Sequence, residues 1–231
     1  NYDYYPKHME KLGGWEKDND YVEYRLDVPE TAPEKYTKIA EMVEKRYNLH
    51  ARKLTKKEIF EGGYGKKLFD LINVTYSHLY GFSELSERQI DQYVKMYFPL
   101  ADLDLITVVE DGNKDNQLVG LAITIPSLTR ALQKCHRGRL FPFGWWHLLR
   151  AIKFHKTEVV DLLLIGVLPE YRSKGANSLV FADLIPRYVK YGFKWGETHV
   201  EMETNESVQS QWGPLDPTMH KKRRCYRKAI G

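Results

Sequence analysis

Apolar residues recur every three or four positions in several stretches of the chain, which is the spacing of an amphipathic helix. One such helix is predicted through Leu179 and Val189, with Gly192 as its stop. Residues 128–156 are also helical in character and rich in aromatic side chains. The remaining helices that this spacing predicts cover residues 33–47, 66–79 and 87–97.

Other stretches are rich in β-branched residues or alternate between polar and apolar positions, as strands do. Residues 105–110 and 118–125 are two of these, and the polar sequence between them suits the turn of a hairpin. Residues 159–167 form an apolar run with one acid, Asp161, which is typical of a strand buried on both faces. Strands are also predicted over residues 50–54, 198–204 and 224–230. Helices and strands in this order predict an α/β (α+β) protein.

The first 29 residues form a small unit of their own in this pattern. They contain a short helix over residues 6–12, a glycine stop and an alternating strand through residues 21–25. Prolines within residues 28–33 then indicate a linker, with a domain boundary near residue 29. Because the chain begins at Asn1 without a methionine, we interpret it as a processed chain or a piece of a longer protein.

Composition narrows the class of protein. A length of 231 residues, with 42% hydrophobic and 13% aromatic residues, is enough to bury a substantial core, which excludes a disordered or collagen-like chain. No apolar run approaches about 18 residues, and no signal-peptide pattern opens the chain, so we expect a cytoplasmic protein. Cys135 and Cys225 form no CxxC motif, and the histidines show no HExxH spacing, so no metal site is predicted.

The net charge of +4 hides two strongly basic segments. The first is acid-free and contains Arg130, Lys134, Arg137, Arg139, Arg150, Lys153 and Lys156. The second, near the end of the chain, contains Lys221, Lys222, Arg223, Arg224, Arg227 and Lys228. Such clusters predict an anionic partner, which is a phosphorylated cofactor, a nucleic acid or a membrane surface, unless they form a solvated basic face. Nucleic acid is the least favoured, because the sequence contains no recognised reader motif.

The most informative chemistry lies where the strand over residues 159–167 turns into the following helix. A glycine-containing turn that enters a helix exposes backbone N–H groups beside the positive end of the helix dipole, which suits a pyrophosphate. Arg172 and Lys174 add positive charge, and Gly175 permits close approach of the backbone to the phosphates. Neither a GxxxxGK[ST] nor a GxGxxG motif is present.

This turn, Arg172-Ser-Lys-Gly175-Ala-Asn177, resembles the acyl-CoA signature [QR]-x-x-G-x-[GA] of the GNAT (GCN5-related N-acetyltransferase) family and matches five of its six places. The order of elements over roughly residues 35–231 agrees with that family. The resemblance implies a GNAT fold with a mixed, mostly antiparallel central sheet flanked by helices. It also implies an acetyl-CoA or other acyl-CoA co-substrate, no metal, and the cofactor-binding residues Ile165, Val167, Arg172, Ser173, Lys174, Gly175, Ala176, Asn177, Ser178 and Asn205.

Further segments resemble uncharacterised bacterial acetyltransferase-like proteins, namely Glu203-Thr-Asn205, Val208-Gln-Ser-Gln-Trp212 and His220-Lys-Lys-Arg-Arg-Cys-Tyr226. Those relatives carry an additional GNAT-like domain upstream. The resemblance therefore implies that residues 1–29 are the remnant of such a domain and its linker. Residues 30–231 would then be the GNAT-like acyltransferase domain, with a helical aromatic and basic insertion at about 126–156.

The resemblance also implies catalytic roles. Histone-type members carry a proton-accepting carboxylate eleven residues before the signature, where this chain has Asp161. The alternative bases are Glu201 and Glu203, and the N–H groups near Ile165 and Val167 are expected to polarise the thioester carbonyl. Where the family usually has the Tyr that protonates the leaving group, seven residues after Asn205, this chain has Trp212. The substitutes considered for that acid are Tyr226, Cys225 and His220.

Together these features predict an N-acyltransferase that moves an acetyl or longer acyl group from acyl-CoA to a small-molecule or peptide amine by direct transfer. One alternative is a catalytically degenerate acyl-CoA-binding module. Another is a protein that acts at a membrane surface or on a lipid substrate, because residues 139–155 interleave aromatic and basic side chains as interfacial helices do.

Overall fold

The computed structural model describes residues 2–229 of the chain, and eight strands in this range form one sheet. The strands are β1 (Glu16–Asp27), β2 (Leu49–Arg52), β3 (Ile106–Asp111), β4 (Gln117–Pro126), β5 (Val159–Val167), β6 (Trp195–Thr198), β7 (Glu201–Met202) and β8 (Thr218–Arg227). Their order across the sheet is β2-β3-β4-β5-β6-β1-β7, and β8 pairs with β1. Among the described strands, β5 and β6 are parallel and the other pairs are antiparallel.

Helices cover both faces of this sheet and bury a separate apolar cluster on each. They are α1 (Tyr4–Leu12), α2 (Glu34–Tyr47), α3 (Lys56–Phe60), α4 (Tyr64–Tyr76), α5 (Glu87–Tyr97), α6 (Thr129–Gln133), α7 (Gly144–Phe154), α8 (Pro169–Arg172), α9 (Ala176–Tyr191) and α10 (Glu206–Gln209). On β3, Val109 packs into the cluster formed with α2 and α9, and its neighbour Val108 packs into the cluster formed with α3, α4 and α5. Successive strand residues point to opposite faces, so β3 and β5 contribute apolar side chains to both clusters.

Most elements predicted from periodicity are confirmed. The helix expected over residues 33–47 is α2, the one expected over residues 87–97 is α5, and the hairpin is β3 with β4. Ser86 forms a capping box with Gln89 at the start of α5, which satisfies N–H groups that the first helical turn leaves unpaired. No helix among residues 2–229 is long and apolar enough to cross a membrane.

Two strand predictions were wrong in their limits. The strand expected over residues 198–204 is broken at His199 and Val200 into β6 and β7, which lie end to end along β1. The last strand begins at Thr218, six residues earlier than expected, because all of β1 is available to pair with it. The predicted end of that strand at residue 230 lies outside the described residues.

The N-terminal strand β1 is an inner strand of the sheet. It pairs with β6 and β7 on one edge and with β8 on the other, and its residues Val22 and Leu26 are buried. Sequence periodicity shows that this strand exists but not which strands it joins, because sheet partners are distant in sequence. Its origin as the remnant of an upstream domain, with a boundary near residue 29, stays a prediction.

The basic segment near the end of the chain is paired with acids of β1. Arg224 donates two hydrogen bonds to the buried carboxylate of Asp20, at 2.7 and 2.9 Å, and these bonds hold the pKa of Asp20 well below its usual range. Lys221 and Arg223 pair with Glu23 at 3.1 and 2.5 Å. These charges therefore hold β8 against β1, and the expectation of an external anionic partner passes to residues 130–156.

Candidate functional site

A cleft of about 190 Å³ opens where β5 and β6 part. The two strands pair as far as Leu162 and Thr198, and the N–H of His199 still donates to the carbonyl oxygen of Leu162 at 3.1 Å. Beyond that bond, β7 follows β1 instead of β5. Residues 162–167 and 198–202 therefore become the two walls of the cleft, and one edge of β5 has no neighbouring strand there.

Tyr76, at the end of α4, contacts this open edge. Its hydroxyl accepts a hydrogen bond from the N–H of Ile165 at 3.2 Å and donates one to the carbonyl oxygen of the same residue at 3.1 Å. A Cβ at Gly166 would lie 2.7 Å from Oγ1 of Thr75, so glycine is required there for α4 to pack this closely on β5. The N–H of Ile165, which is expected to polarise the thioester carbonyl, thus faces the cleft beside the Tyr76 hydroxyl.

Glu201 brings a carboxylate into the same cleft. It accepts a hydrogen bond from Nε1 of Trp212 at 3.0 Å, and that indole is only 2% exposed. Burial raises the pKa of Glu201 to about 7. Burial also raises the pKa of Tyr76, and the nearby charge of Glu201 adds to that shift. The cleft therefore holds a carboxyl group that changes protonation near neutral pH beside a phenol that stays protonated there.

The proposed phosphate loop lies at the end of β5, between α8 and α9. Asn177, in the first turn of α9, lines the cleft, whereas Ala176 and Ser178 are buried against the core. The N–H of Ser178 donates to the carbonyl oxygen of Gly175 at 2.9 Å, whereas the N–H groups of Ala176 and Asn177 precede the first intrahelical bond, which fits an anionic group. Arg172 also lines the cleft, and its Nε donates to the carbonyl oxygen of Val167 at 3.0 Å, which braces the strand end.

Lys174 and Ser173 complete the loop. The Nζ of Lys174 lies 4.2 Å from the ring centre of Tyr171, so this ammonium group packs over an aromatic face. Ser173 is exposed at the end of α8. Neither residue is among those that line the cleft, so a ligand would reach them only by extending beyond its mouth.

Gly175 is needed for the packing of the loop as well as for its conformation. It has a φ of +83°, and a Cβ at this position would lie 2.9 Å from Cγ2 of Ile39 on α2. Gly192 has a similar φ of +77° but has no atom within 4 Å of such a Cβ. Substitutions at the two glycines therefore separate the free-energy cost of backbone strain from that of steric overlap.

We expect Gly175→Ala to lower the free energy of unfolding by about 2–4 kcal/mol, from left-handed backbone strain plus overlap with α2. Gly192→Ala should cost only about 1 kcal/mol, because the strain acts alone. Urea denaturation of the two variants measures both values. Equal losses would show that α2 moves away and that the collision at Gly175 is not felt.

The sequence comparisons give no family by themselves, since no protein-family model matches the chain. The solved structure of a GCN5-related N-acetyltransferase from Sphaerobacter thermophilus superposes on it with a TM-score of 0.60. The two sequences are 10% identical, and the match covers 97% of this chain and 55% of the other. This chain has the GNAT fold. The fold class expected from the sequence is thereby confirmed.

Two further proteins extend the comparison of this GNAT-fold chain. A tandem GNAT protein from the clavulanic acid biosynthesis pathway matches with a TM-score of 0.51 and 12% identity, over 97% of this chain and 58% of the other. In sequence, the chain is 23% identical over 175 residues to the bacterial ceramide synthase of Caulobacter vibrioides, which covers 71% of this chain and 42% of that relative. The chain thus spans less than half the length of this curated relative.

Three of the four side chains named from the sequence as catalytic are not among those lining the cleft of this GNAT-fold chain. Asp161 lies opposite Glu197 in the pairing of β5 with β6, and burial raises its pKa to about 6. Glu203 follows β7 and pairs with Lys17. Tyr226 lies on β8 opposite Lys17. The end of β7 at Met202 explains the separation of the two glutamates, because Glu203 lies in the following turn and strict alternation does not continue into it.

The fold brings together a larger share of the residues that were named from the sequence as cofactor-binding than of the catalytic candidates. Ile165, Val167, Arg172, Asn177 and Asn205 all line the cleft. Tyr76 was missed, because an aromatic residue at helical spacing resembles a core position and no sequence signal relates α4 to β5. Its partner strand is 89 residues away in sequence.

The sequence predicted no metal site. In the fold, one cluster contains atoms of the kind that bind metal ions. Within residues 2–229, Glu23, Glu197 and His220 bring three possible ligand atoms to within 4.8 Å of one another. Lys221 bonds to both carboxylates. Because an ammonium group already neutralises these acids, the cluster is an ion-pair network of the β1–β8 edge.

Proposed function

We propose that this GNAT-fold chain transfers an acyl group from an acyl-CoA directly to an amine. The observation that carries the proposal is the convergence in one cleft of Glu201, the Ile165 N–H and the Tyr76 hydroxyl, next to the turn that opens α9. The co-substrate would supply an acyl group activated as a thioester. The residues of the chain would bind it, orient it and move two protons.

Binding begins at the phosphate loop. The first turn of α9 offers backbone N–H groups and the positive end of a 16-residue helix to a pyrophosphate. From there the cleft runs along residues 162–167 of β5, whose open edge would hold the extended arm of the co-substrate. Asn177 and Glu201 both line this cleft, so the reactive carbonyl would lie beside the carboxylate when the phosphates are held near Asn177.

Glu201 is the proposed general base. With a pKa of about 7 it is largely ionised in slightly alkaline solution and still able to take the proton that an attacking amine must lose. Its hydrogen bond from Trp212 fixes the carboxylate in place. A tryptophan at this position therefore orients the base, and it cannot act as the acid that the family usually has there.

Ile165 and Tyr76 are the proposed partners of the reacting thioester. The N–H of Ile165 would donate to the carbonyl oxygen as negative charge develops on it. A carbonyl in that position competes with the Tyr76 hydroxyl for the N–H, which releases the hydroxyl toward the sulfur. Tyr76 would then protonate the departing thiolate, while the amide bond forms and the carbon–sulfur bond breaks.

The acceptor that the cleft suits is an amine attached to an apolar chain. Apolar side chains of Leu79, Leu163 and Met202 line its walls, and the carboxylate of Glu201 would attract an ammonium group. The relative from Caulobacter vibrioides is named a ceramide synthase, and a ceramide is the amide of a long-chain amino alcohol. We therefore propose a long-chain amine as acceptor in preference to a peptide.

A second candidate is a module that binds acyl-CoA without turning it over. The observation that favours it is that the Tyr76 hydroxyl bonds to both the N–H and the carbonyl oxygen of Ile165. A thioester can use this N–H only after it displaces the hydroxyl. Such a module would bind acyl-CoA at the phosphate loop and release no thiol with any amine.

The test is calorimetric titration with CoA, acetyl-CoA and palmitoyl-CoA, followed by measurement of thiol release with three acceptors. Those acceptors are a long-chain amino alcohol, ethanolamine and a lysine peptide. Binding together with release that depends on the long-chain amine is expected. Binding without release from any acceptor would select the binding module, and no binding to any of the three would contradict both candidates.

We expect Asn177→Asp to weaken acyl-CoA binding by about 10- to 100-fold, because it places a negative charge beside the proposed pyrophosphate position. The substitution preserves side-chain size, and an acid in the first turn of a helix is favourable, so folding should be unaffected. Calorimetry measures the affinity. Gln92→Glu on α5 is the control, since it makes the same change of charge on an exposed helix. Equal affinities of both variants would place the phosphates elsewhere.

A further inference from the structure

The segment formed by residues 126–156, here called the α6–α7 segment, connects the end of β4 to the start of β5. It lies at the opposite end of β5 from the phosphate loop, and the proposed chemistry uses none of its side chains. It is also the acid-free basic stretch of the sequence. Its exposed surface therefore needs an explanation of its own.

This segment carries an unusual amount of exposed apolar surface. Phe141 is 76% exposed and Phe143 is 70% exposed, and both precede the first turn of α7. The other exposed apolar side chains of the segment are Leu132, Leu140, Trp145, Trp146 and Phe154. Single exposed apolar residues are ordinary, but a contiguous group with several large aromatic rings marks an interaction site.

The basic side chains among these aromatics are available to an external anion. Of the seven, Arg130 pairs with Glu158 at 3.3 Å, and the other six have no ion pair among residues 2–229. This differs from the basic segment on β8, whose charges are held by acids of β1. Six unpaired cations beside exposed aromatic rings are complementary to a surface that is both anionic and apolar.

A cavity of about 350 Å³ adjoins the segment and adds a place for a charged group. Its lining includes Lys134, His147, Arg150 and Lys156, and its one acid, Glu158, is the partner of Arg130. A lipid phosphate could enter this cavity while the apolar part of the lipid stays beside the aromatic rings. Charge and apolarity thus occur together in one segment, as they do in segments that bind a bilayer interface.

The residue types in the segment distinguish between a bilayer and a nucleic acid as its partner. Between Cys135 and Phe154 the sequence contains no Asn, Gln, Ser or Thr, which are the uncharged side chains that form hydrogen bonds with bases. It contains aliphatic and aromatic residues instead, with tryptophans of the kind found at membrane interfaces. These observations favour lipid over DNA or RNA.

We propose that the α6–α7 segment docks this protein on the surface of an anionic lipid bilayer. Phe141 and Phe143 enter the interface with the first turn of α7, and Arg150 and Lys153 contact lipid phosphates. The inference does not depend on the proposed transfer reaction, because docking is measured without acyl-CoA or amine.

The experiment is co-sedimentation of the 231-residue chain with two kinds of vesicle, one of phosphatidylcholine alone and one that also contains phosphatidylglycerol. Binding is expected only to the second. Arg150→Gln with Lys153→Gln should weaken it about 30-fold, because two contacts with an anionic surface are lost. Phe141→Ser with Phe143→Ser should weaken it at least about 10-fold through lost apolar burial.

Matched double variants control for charge and for apolarity. Arg88→Gln with Lys95→Gln removes the same charges from α5, and Leu12→Ser with Leu100→Ser removes exposed apolar side chains elsewhere. Both should bind as the unchanged protein does. If the phenylalanine variant fails to fold, quenching of tryptophan fluorescence by brominated lipid gives a second measurement, and Trp145→Phe with Trp146→Phe should remove it.

Four results would overturn the proposal. Three of them are absence of binding to anionic vesicles, binding that the variants of the α6–α7 segment and their controls reduce equally, and equal binding to neutral vesicles. A fourth is tighter binding to RNA than to vesicles that is lost in the charge variant and kept in the phenylalanine variant. That result would assign the segment to nucleic acid.

Discussion

Glu201→Gln is expected to lower kcat by about 10²- to 10⁴-fold, the range of a general base, with little change in acyl-CoA affinity. The amide keeps an oxygen that can accept the hydrogen bond from Trp212, so the cleft keeps its shape. Steady-state kinetics with a long-chain amine measures the loss. Glu203→Gln is the matched control, because that carboxylate pairs with Lys17 and does not line the cleft.

The pH dependence provides a second measurement of the same group. A base with a pKa of about 7 is protonated and inactive below that pH, so kcat should rise with pH through about 7 and then level off. The rising limb should disappear in Glu201→Gln. If Glu203→Gln rather than Glu201→Gln abolished activity, or if the limb persisted without Glu201, the assignment of the base would be wrong.

The Glu201→Gln variant should be more stable than the unchanged protein, although it is less active. The pKa of Glu201 is raised in the fold relative to about 4.3 in an unfolded chain, so the ionised form costs folding free energy above that value. The cost develops as pH rises from about 4.3 to about 7 and then stays constant. At about pH 8 we expect the free energy of unfolding of Glu201→Gln to be about 2 kcal/mol higher than that of the unchanged protein. Near pH 4 this difference should vanish.

Tyr76→Phe is expected to lower kcat by about 10²-fold, because the thiolate would leave without a nearby acid. Burial raises the pKa of Tyr76, so the phenol stays protonated over the working pH range and should cause no falling limb there. The KM for acyl-CoA should fall or stay constant, since the Ile165 N–H no longer has a competing partner. Measurement of kcat and KM for the variant separates these effects.

Tyr93→Phe on α5 controls for the loss of a tyrosine hydroxyl, because its ring packs on Phe69 and lies outside the cleft. Its kinetics should match those of the unchanged protein. A Tyr76→Phe variant with unchanged kcat would show that the hydroxyl only covers Ile165, and the thiolate would then have to leave unassisted or with another acid.

The cleft contains features that follow from the order of residues and others that depend on the fold. In one part of it, glycine, basic residues and a helix start are neighbours in sequence, so the proposed phosphate loop can be recognised in the order of residues 172–178. The hydrogen bond that Arg172 makes could not be predicted, because its acceptor is a backbone carbonyl that the fold brings to it. On the opposite wall of the cleft, Glu201 and Glu203 look equivalent in sequence, and only the end of β7 at Met202 separates the one in the cleft from the one outside it.

The sequence by itself determined the type and order of most elements, the hairpin, the strand β5 and the turn before α9, although residues 161–165 of β5 are half-buried rather than buried on both faces. These are local properties, since apolar periodicity, turn residues and helix caps act over a few positions. It also showed two basic segments, but not that acids of β1 pair with the second of them. Tertiary structure alone decided that β1 joins β6, β7 and β8, that Tyr76 reaches Ile165, and that Trp212 holds Glu201. Those contacts join residues far apart in sequence, and no local pattern specifies them.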